Sequence, residues 1–492
     1  MVGADYILAN NSRGEEATTL KWSSVTLSSI VESDKRLDAQ KYDIALRATK
    51  EVIFNNPNGI SYIIDKKDGK YGLCEAYRPG ICKRIFVEKT DDSIPMLTPS
   101  QITDTQPKAE KFLAKSFCEK ISDWFVKKNE ILLTCSGTIG NVSLVSRTLH
   151  NCCISQNLIR IVAKRPKDTG YIYTYLKSQY GQCFLMHNNY GAVIQHIDPE
   201  HLASVPIPNA PKEIKERIHD LIVRSYDLRD ESNDLIDKAT QLLIDELHLP
   251  DIHDFVVNDY KKNAPVETFS VKLSDMAGRA DASYHVPIVD SIVDHLKKYA
   301  EEVTTVVDSR ISKDIILPGR FKRVYVEEGY GRVFIGGKQL YELDPSNKKY
   351  LSLIHHGDRI AKQLLLHENM TLITCSGTIG KVALVGKHWE NWTANQHIIR
   401  IVPANKGIAG YLNIFLGSEY GFHLITRYTY GSVVDEIDDN HVGQIAIPLL
   451  KNKDVQKEIN DLALLANEKR YEAYQLEQQA LQIMNEEVIY AK

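Results

Sequence analysis

Thr134-Cys135-Ser136-Gly137-Thr138-Ile139-Gly140 recurs letter for letter as Thr374-Cys375-Ser376-Gly377-Thr378-Ile379-Gly380, 240 residues further along the chain. Apolar runs flank the turn in both places: Ile131-Leu132-Leu133 and Val142-Ser143-Leu144-Val145 around the first copy, Leu372-Ile373 and Val382-Ala383-Leu384-Val385 around the second. Each set predicts two strands joined by a glycine-bearing loop. The register then holds over a long stretch. Leu158-Ile159-Arg160-Ile161-Val162 answers Ile398-Ile399-Arg400-Ile401-Val402, Tyr180-Gly181 answers Tyr420-Gly421, Tyr190-Gly191-Ala192-Val193 answers Tyr430-Gly431-Ser432-Val433, and Ile207-Pro208 answers Ile447-Pro448. Upstream, Pro79-Gly80 and Lys83-Arg84-Ile85-Phe86-Val87-Glu88 match Pro318-Gly319 and Lys322-Arg323-Val324-Tyr325-Val326-Glu327. Chance does not keep one offset over so many matches, so the chain is a duplicated unit and does whatever it does twice. Small shifts of offset between blocks are what loop insertions between fixed elements produce.

Bulk properties bound the rest. A chain of 492 residues exceeds one core and fits two to four domains. No apolar run approaches a membrane span and the N-terminus lacks a signal pattern, so the chain is read as soluble and cytoplasmic. Eight cysteines at irregular spacing, with no Cys-x-x-Cys pair, read as small buried hydrophobes in a reducing compartment. The net charge of −4 is uneven: residues 1–210 hold 26 basic against 22 acidic side chains, residues 211–248 hold 6 against 10, and residues 451–492 hold 6 against 8. A protein gripping DNA by charge alone would be more basic, whereas one touching DNA over a small face, with partners covering the rest, fits this balance.

Each half ends in a long apolar stripe. From Ile214 the spacing runs 4, 3, 4, 3 through Ile218, Leu221, Ser225, Leu228, Ser232, Leu235, Ala239 and Leu242, with no Pro or Gly between Lys212 and Leu249. The C-terminal segment keeps the phase with Val455, Ile459, Leu462, Ala466, Lys469, Ala473, Leu476, Ala480 and Ile483. This is closer to the 3.5-residue spacing of a coiled-coil seam than to 3.6, which predicts two helices packed on each other rather than each merely covering its own domain. Gly170 to Tyr180 and Gly410 to Tyr420 read as shorter helices, Pro206 to Pro211 as a link into the first long helix, and His253 to Ala264 as a polar linker into the second half.

Together these features resemble the specificity subunit of type I restriction-modification systems. The resemblance rests on the Ser-Gly-Thr-Ile-Gly turn, the Leu317–Glu327 stretch, the Tyr-Gly-Ser-Val-Val segment before an Ile-Pro, and the heptad helix after each half, and it covers nearly the whole chain. The first copy departs from it at Arg78-Pro79-Gly80-Ile81-Cys82. The resemblance implies an α+β protein: target-recognition domains at residues 1–210 and 250–450, a helical spacer at 211–249, and a second at 451–492, the two helices pairing as an antiparallel coiled coil. It also implies a non-catalytic chain that reads a bipartite site in double-stranded DNA and docks two DNA methyltransferase subunits, with a restriction/translocase subunit where the system has one. Any S-adenosylmethionine would sit on the methyltransferase, leaving no cofactor on this chain.

The candidate contact residues each have a plainer alternative. Ser136, Thr138, Ser376 and Thr378 could meet phosphate or base edges, while the glycines beside them answer to a tight turn. Lys83, Arg84, Arg320, Lys322 and Arg323 suit DNA phosphates, or a solvated face. The near nucleotide loop at Gly331–Lys338 fails, because Gln339 stands where Ser or Thr should hold magnesium. No His-Glu-x-x-His, no Asn-Pro-Pro-Tyr or Asp-Pro-Pro-Tyr and no Gly-x-Ser-x-Gly occurs. Two rival readings stay open: a stand-alone DNA-modifying enzyme, and a non-DNA scaffold that binds two partner copies.

Overall fold

The computed structural model describes residues 24–32, 37, 39–66, 69–80, 83–90, 92–115, 121–187, 196–255, 268–276, 278–345 and 348–491. Tyr190 to Val193, Ile81-Cys82 and most of the expected linker from His253 to Ala264 lie outside the described residues. The chain forms two compact units. The first comprises Met1–Ile102, Pro107–Val223 and Glu477–Lys492; the second comprises Thr103–Gln106 and Arg224–Leu476. The division falls inside the two long helices, so each unit keeps part of each.

Among the described residues the first unit has the strands β1 (Ile60–Ile64), β2 (Gly72–Tyr77), β3 (Phe86–Val87), β4 (Ser93–Leu97), β5 (Lys111–Ala114), β6 (Ile131–Thr134), β7 (Val142–Leu144), β8 (Cys153–Ile154), β9 (Leu158–Ala163) and β10 (Pro206–Pro208). They form a six-stranded sheet in the order β10-β1-β2-β9-β6-β7 and a smaller sheet in the order β3-β5-β4-β8. The second unit repeats the plan with β11 (Glu302–Thr305), β12 (Ser312–Ile316), β13 (Tyr325–Val326), β14 (Gly331–Ile335), β15 (Lys349–Ser352), β16 (Thr371–Thr374), β17 (Val382–Leu384), β18 (Thr393–Ala394), β19 (Ile398–Pro403) and β20 (Ala446–Leu449). There β12-β19-β16-β17 corresponds to β2-β9-β6-β7, β13-β15-β14-β18 to β3-β5-β4-β8, and β11-β20 to β1-β10. The parallel pairing within each smaller sheet recurs too, β4 with β8 and β14 with β18. The repeated letters are thus repeated topology. Mixed helix and sheet is what the sequence pattern called for.

The strands around the first turn, and β16 before the second, are buried along their whole length, which is why they read as unbroken apolar runs; in β17 only Val382 is buried. Ile131 faces Leu144 and Leu133 faces Val142; one repeat on, Thr371 faces Leu384 and Ile373 faces Val382. Arg160 and Arg400 interrupt β9 and β19, yet both are buried. A buried cation needs acceptors. The Arg160 guanidinium donates to the Phe125 carbonyl at 3.1 Å, and that of Arg400 to the carbonyls of Ile398 at 2.7 Å, Leu364 at 3.3 Å and Ala394. Burial lowers the Arg400 pKa to about 9, so the group stays charged at neutral pH. Each arginine ties the segment leading out of the smaller sheet to the central strands.

Two glycines that the repeat keeps have steric reasons. A Cβ at Gly170 would lie 2.6 Å from the His219 backbone, and one at Gly410 2.3 Å from the Asn460 carbonyl oxygen. A short helix and the long helix of the same unit therefore touch backbone to backbone. The expected helix from Gly170 to Tyr180 is two helices, Thr169–Lys177 and Gln179–His187, broken at Ser178. The second repeat breaks likewise, between Lys406–Gly417 and Glu419–Thr426, where the Ser418 side chain caps the Gly421 amide. The expected link at Pro206 to Pro211 begins as strand: β10 lies on the sheet edge against β1, where proline costs no ladder bond.

The long helices run Lys212–Glu246 and Lys453–Ile483. Within the second unit they are antiparallel: Ser225 donates to the Ala473 carbonyl at 2.7 Å, Glu231 pairs with Lys469, and Lys238 pairs with Glu458 at 2.9 Å. Leu228, Ser232, Ala239, Ala466 and Ala473 of the predicted stripe are buried there. Ser225 and Ser232 are wholly buried as well, their hydroxyls bonded to backbone carbonyls, which is how polar seam positions are tolerated. Within the first unit, Glu477 is wholly buried and accepts from Lys177 and Tyr173, both at 2.6 Å.

Candidate nucleic-acid interface

The Ser-Gly-Thr-Ile-Gly loop closes the β6–β7 hairpin in one unit and the β16–β17 hairpin in the other. Gly137, Gly140, Gly377 and Gly380 sit at positive φ, between 74° and 94°, the region that favours glycine. Thr134 and Thr374 lock the loop from its base. Their carbonyls accept from Gly140 and Gly380 at 3.1 Å, and their hydroxyls accept from the Asn141 and Lys381 amides at 2.9 Å. In the second unit the Gly377 amide donates to the Asp435 carbonyl at 2.9 Å. These amides are therefore satisfied inside the fold. What the loops offer outward are hydroxyls: Thr138 and Thr378 are exposed, Ser136 and Ser376 half-buried.

Behind each loop a strand-like bridge runs back to the segment before an Ile-Asp pair, Ser136 to His196 and Ser376 to Glu436. An arginine sits beside it in both units, but not the same one. Arg78 pairs with Asp198 at 3.1 Å and points a guanidinium nitrogen at the Cys135 sulfur, 3.7 Å away. Arg320 pairs with Glu436 at 2.9 Å and remains 79% exposed, so most of its donor fork faces solvent. Sequence reasoning named Arg320 and passed over Arg78; the two copies pair an arginine with different carboxylates of the segment behind the loop, Asp198 in one and Glu436 in the other. Burial raises the Cys135 thiol, and pushes that of Cys375 up to about 12, so neither ionises at neutral pH. Of the described cysteines, Cys74, Cys135, Cys153 and Cys375 are buried as expected, while Cys152 and Cys183 are partly exposed.

In the second unit the predicted cations converge on the loop. Arg323 donates to Gln396 at 2.9 Å, Gln396 bonds His397 at 2.9 Å, and the His397 carbonyl accepts from the Cys375 amide. His397 is held below its ordinary pKa by burial first and then by the Arg323 and Arg320 charges, and so stays neutral beside them. Lys322 is exposed on the same lead-in to β13. In the first unit Lys83 and Arg84 are exposed on the lead-in to β3, and among the described residues no contact ties them to the loop. Next to the second loop lies an open cleft of about 880 Å³ lined by Arg279, Asp281, Asp435, Asp438 and His441, among others. Arg279 is already engaged by Asp281 and by the Tyr428 and Thr429 carbonyls, so this cleft is acidic in character and unsuited to a phosphate. Among the described residues there is no cluster of three metal-ligating side chains, and no helix long and apolar enough to cross a membrane.

Residues 72–237, the first repeat from β2 into its long helix, match the family described as the type I restriction modification DNA specificity domain. That stretch is similar to the DNA specificity domain that the residue pattern resembled. Among solved structures the chain is similar to the type I restriction-modification system S subunit from M. genitalium, 13% identical over 85% of this chain and 93% of that one, with a TM-score of 0.31. It is also similar to the HsdS subunit from Thermoanaerobacter tengcongensis, 12% identical over 87% and 100%, with a TM-score of 0.27. No curated protein matches the chain.

Proposed function

We propose that this chain is the sequence-reading subunit of a type I restriction-modification complex, with one reader in each repeat. The carrying observation is that the repeat sharing residues with the matched specificity domain is duplicated strand for strand. A second copy of a DNA-specificity fold is most simply a second reader, and two readers on one chain call for a split recognition site. The candidate contacts are the loop hydroxyls of Ser136, Thr138, Ser376 and Thr378 and the cations Lys83, Arg84, Arg320, Lys322 and Arg323. Arginine and lysine position the duplex by its phosphates, and side chains at base edges select the sequence. The paired helices act as a coiled-coil spacer that sets the gap between half-sites; about 35 helical residues extend roughly 50 Å at ~1.5 Å per residue, more than one turn of duplex. Methyltransferase subunits, two copies for two readers, dock on this frame and carry S-adenosylmethionine and the chemistry, and the complex works in the cytoplasm.

The test is a map of modified bases in the host genome with and without this gene. Loss of a split methylated motif upon deletion is the expected result. An unchanged methylome, together with no sequence preference in gel-shift assays with or without the methyltransferase, would return the chain to the scaffold reading. Methylation or cutting of DNA by the isolated chain with S-adenosylmethionine and magnesium would make it an enzyme.

A further inference from the structure

The smaller sheets carry a second duplicated feature. On the edge strand of each sits a half-exposed ring: Phe86 on β3, 48% exposed, and Tyr325 on β13, 41% exposed. Phe86 lies opposite Leu113 and Tyr325 opposite Leu351. Two residues before each of those leucines, on the same face of the neighbouring strand, stands a lysine. Lys111 Nζ lies 5.4 Å from the Phe86 ring centre, and Lys349 Nζ 5.2 Å from that of Tyr325. The pleat, the register, the ring and the cation are all shared by the two copies of the unit, while the ring's chemistry is not. Ahead of each ring, separated from it by one residue, stand the pairs Lys83-Arg84 and Lys322-Arg323.

An exposed ring held under an ammonium group, with two more cations close by in sequence, presents an apolar face within a patch of positive charge. We infer that Phe86 and Tyr325 are the base-edge contacts of the two readers, with Lys111 and Lys349 as the phosphate contacts that hold them against the duplex. The inference rests on the proposed function and names the side chains through which it works. The surrounding cations fit a polyanion. Phenylalanine on a base edge contacts the methyl group of thymine, and tyrosine keeps an apolar face while adding a hydroxyl that can bond a base or phosphate. A difference of one hydroxyl between otherwise matching positions is what two readers of different half-sites would show.

The experiment is selection from a randomised duplex pool by the full chain, alone and with the host's methyltransferase, for wild type and for F86A, F86Y, K111A, Y325F and K349A. The rings and lysines are exposed, so these variants are expected to fold; thermal melting checks that. F86A and F86Y should change the preference at one position of one half-site, and Y325F at one position of the other. K111A and K349A should weaken binding to all sequences by roughly tenfold at fixed salt, with a shallower salt dependence. Replacing a selected thymine by deoxyuridine should weaken wild type several-fold and leave F86A unaffected. Unchanged selection and affinity in all five variants, with wild type selecting a split site, would overturn this inference and leave the proposed function standing. Loss of methyltransferase co-purification with DNA preference intact would also overturn it, since the face would then dock protein. Wild type selecting no sequence would overturn both.

Discussion

Lys177→Met removes the cation from a buried carboxylate. Glu477 is fully buried, Lys177 is 11% exposed and Tyr173 about as buried as Glu477, so the carboxylate cannot turn to water when its partner goes. Breaking a buried ion pair from one side costs about 3–5 kcal/mol. The Tyr173 hydroxyl still donates to the carboxylate, so the lower end applies, about 3 kcal/mol. Adding Glu477→Gln removes the stranded charge while keeping an oxygen for Tyr173, so the double variant should return to within about 1 kcal/mol of wild type. Urea unfolding gives the size of the loss. Hydrogen exchange over Thr169–Lys177 and residues 477–489 says where it falls, which matters because two units need not unfold as one. A loss below about 1 kcal/mol for Lys177→Met, or no rescue by the second change, would show that this pair does not fasten the C-terminal helix to the first unit.

Three further outcomes follow from the structure. His388 is half-buried, packed among the rings of Trp389, Trp392, Tyr471 and Tyr474, and its desolvation, helped by the Arg470 and Arg229 charges against that of Asp344, pushes it down to about 4. The unfolded chain then binds the extra proton between about pH 6.5 and 4, so stability is complete above that window and falls by about 3 kcal/mol through it; His388→Leu should remove that slope in melting curves taken across pH. Gly410→Ala puts a methyl 2.3 Å from the Asn460 carbonyl and should cost about 1–3 kcal/mol by urea unfolding, whereas Gly357→Ala, with nothing within 4 Å, should change stability by no more than about 1 kcal/mol. Lys322→Ala with Arg323→Ala should weaken binding to all duplexes and lower the salt slope by about one for each phosphate no longer neutralised; unaltered affinity and slope would make the pair a solvated face.

Much of the fold could be read because it is local. The loop needs glycine at positive φ, so its letters survive in both copies, and most of the strand positions beside it are buried and read as apolar runs. Gly170 and Gly410 stood out by recurring, although only the backbone approach explains them. What stayed hidden is non-local. Arg160 and Arg400 look like the polar partner in an alternating strand, and nothing nearby reveals that carbonyls from Phe125 and Leu364 will bury them. Splitting each repeat into two sheets depends on β8 and β18 joining strands 57 and 59 residues upstream, in parallel. On the candidate site, the paired basic residues could be listed from the sequence, but not that Arg320 and Arg323 meet the loop through Glu436 and Gln396. The ring–lysine pairs were invisible because a strand register, not a spacing, creates them.

The central claim is that each repeat reads its own part of one DNA site. Exchanging residues 1–210 for the matching segment of another specificity subunit, then mapping methylated bases in a host carrying the hybrid, tests it most directly. One half of the motif should change to the donor's sequence, while the other half and the gap between them stay as they were. If both halves change together, or neither does, the two repeats are not separate readers.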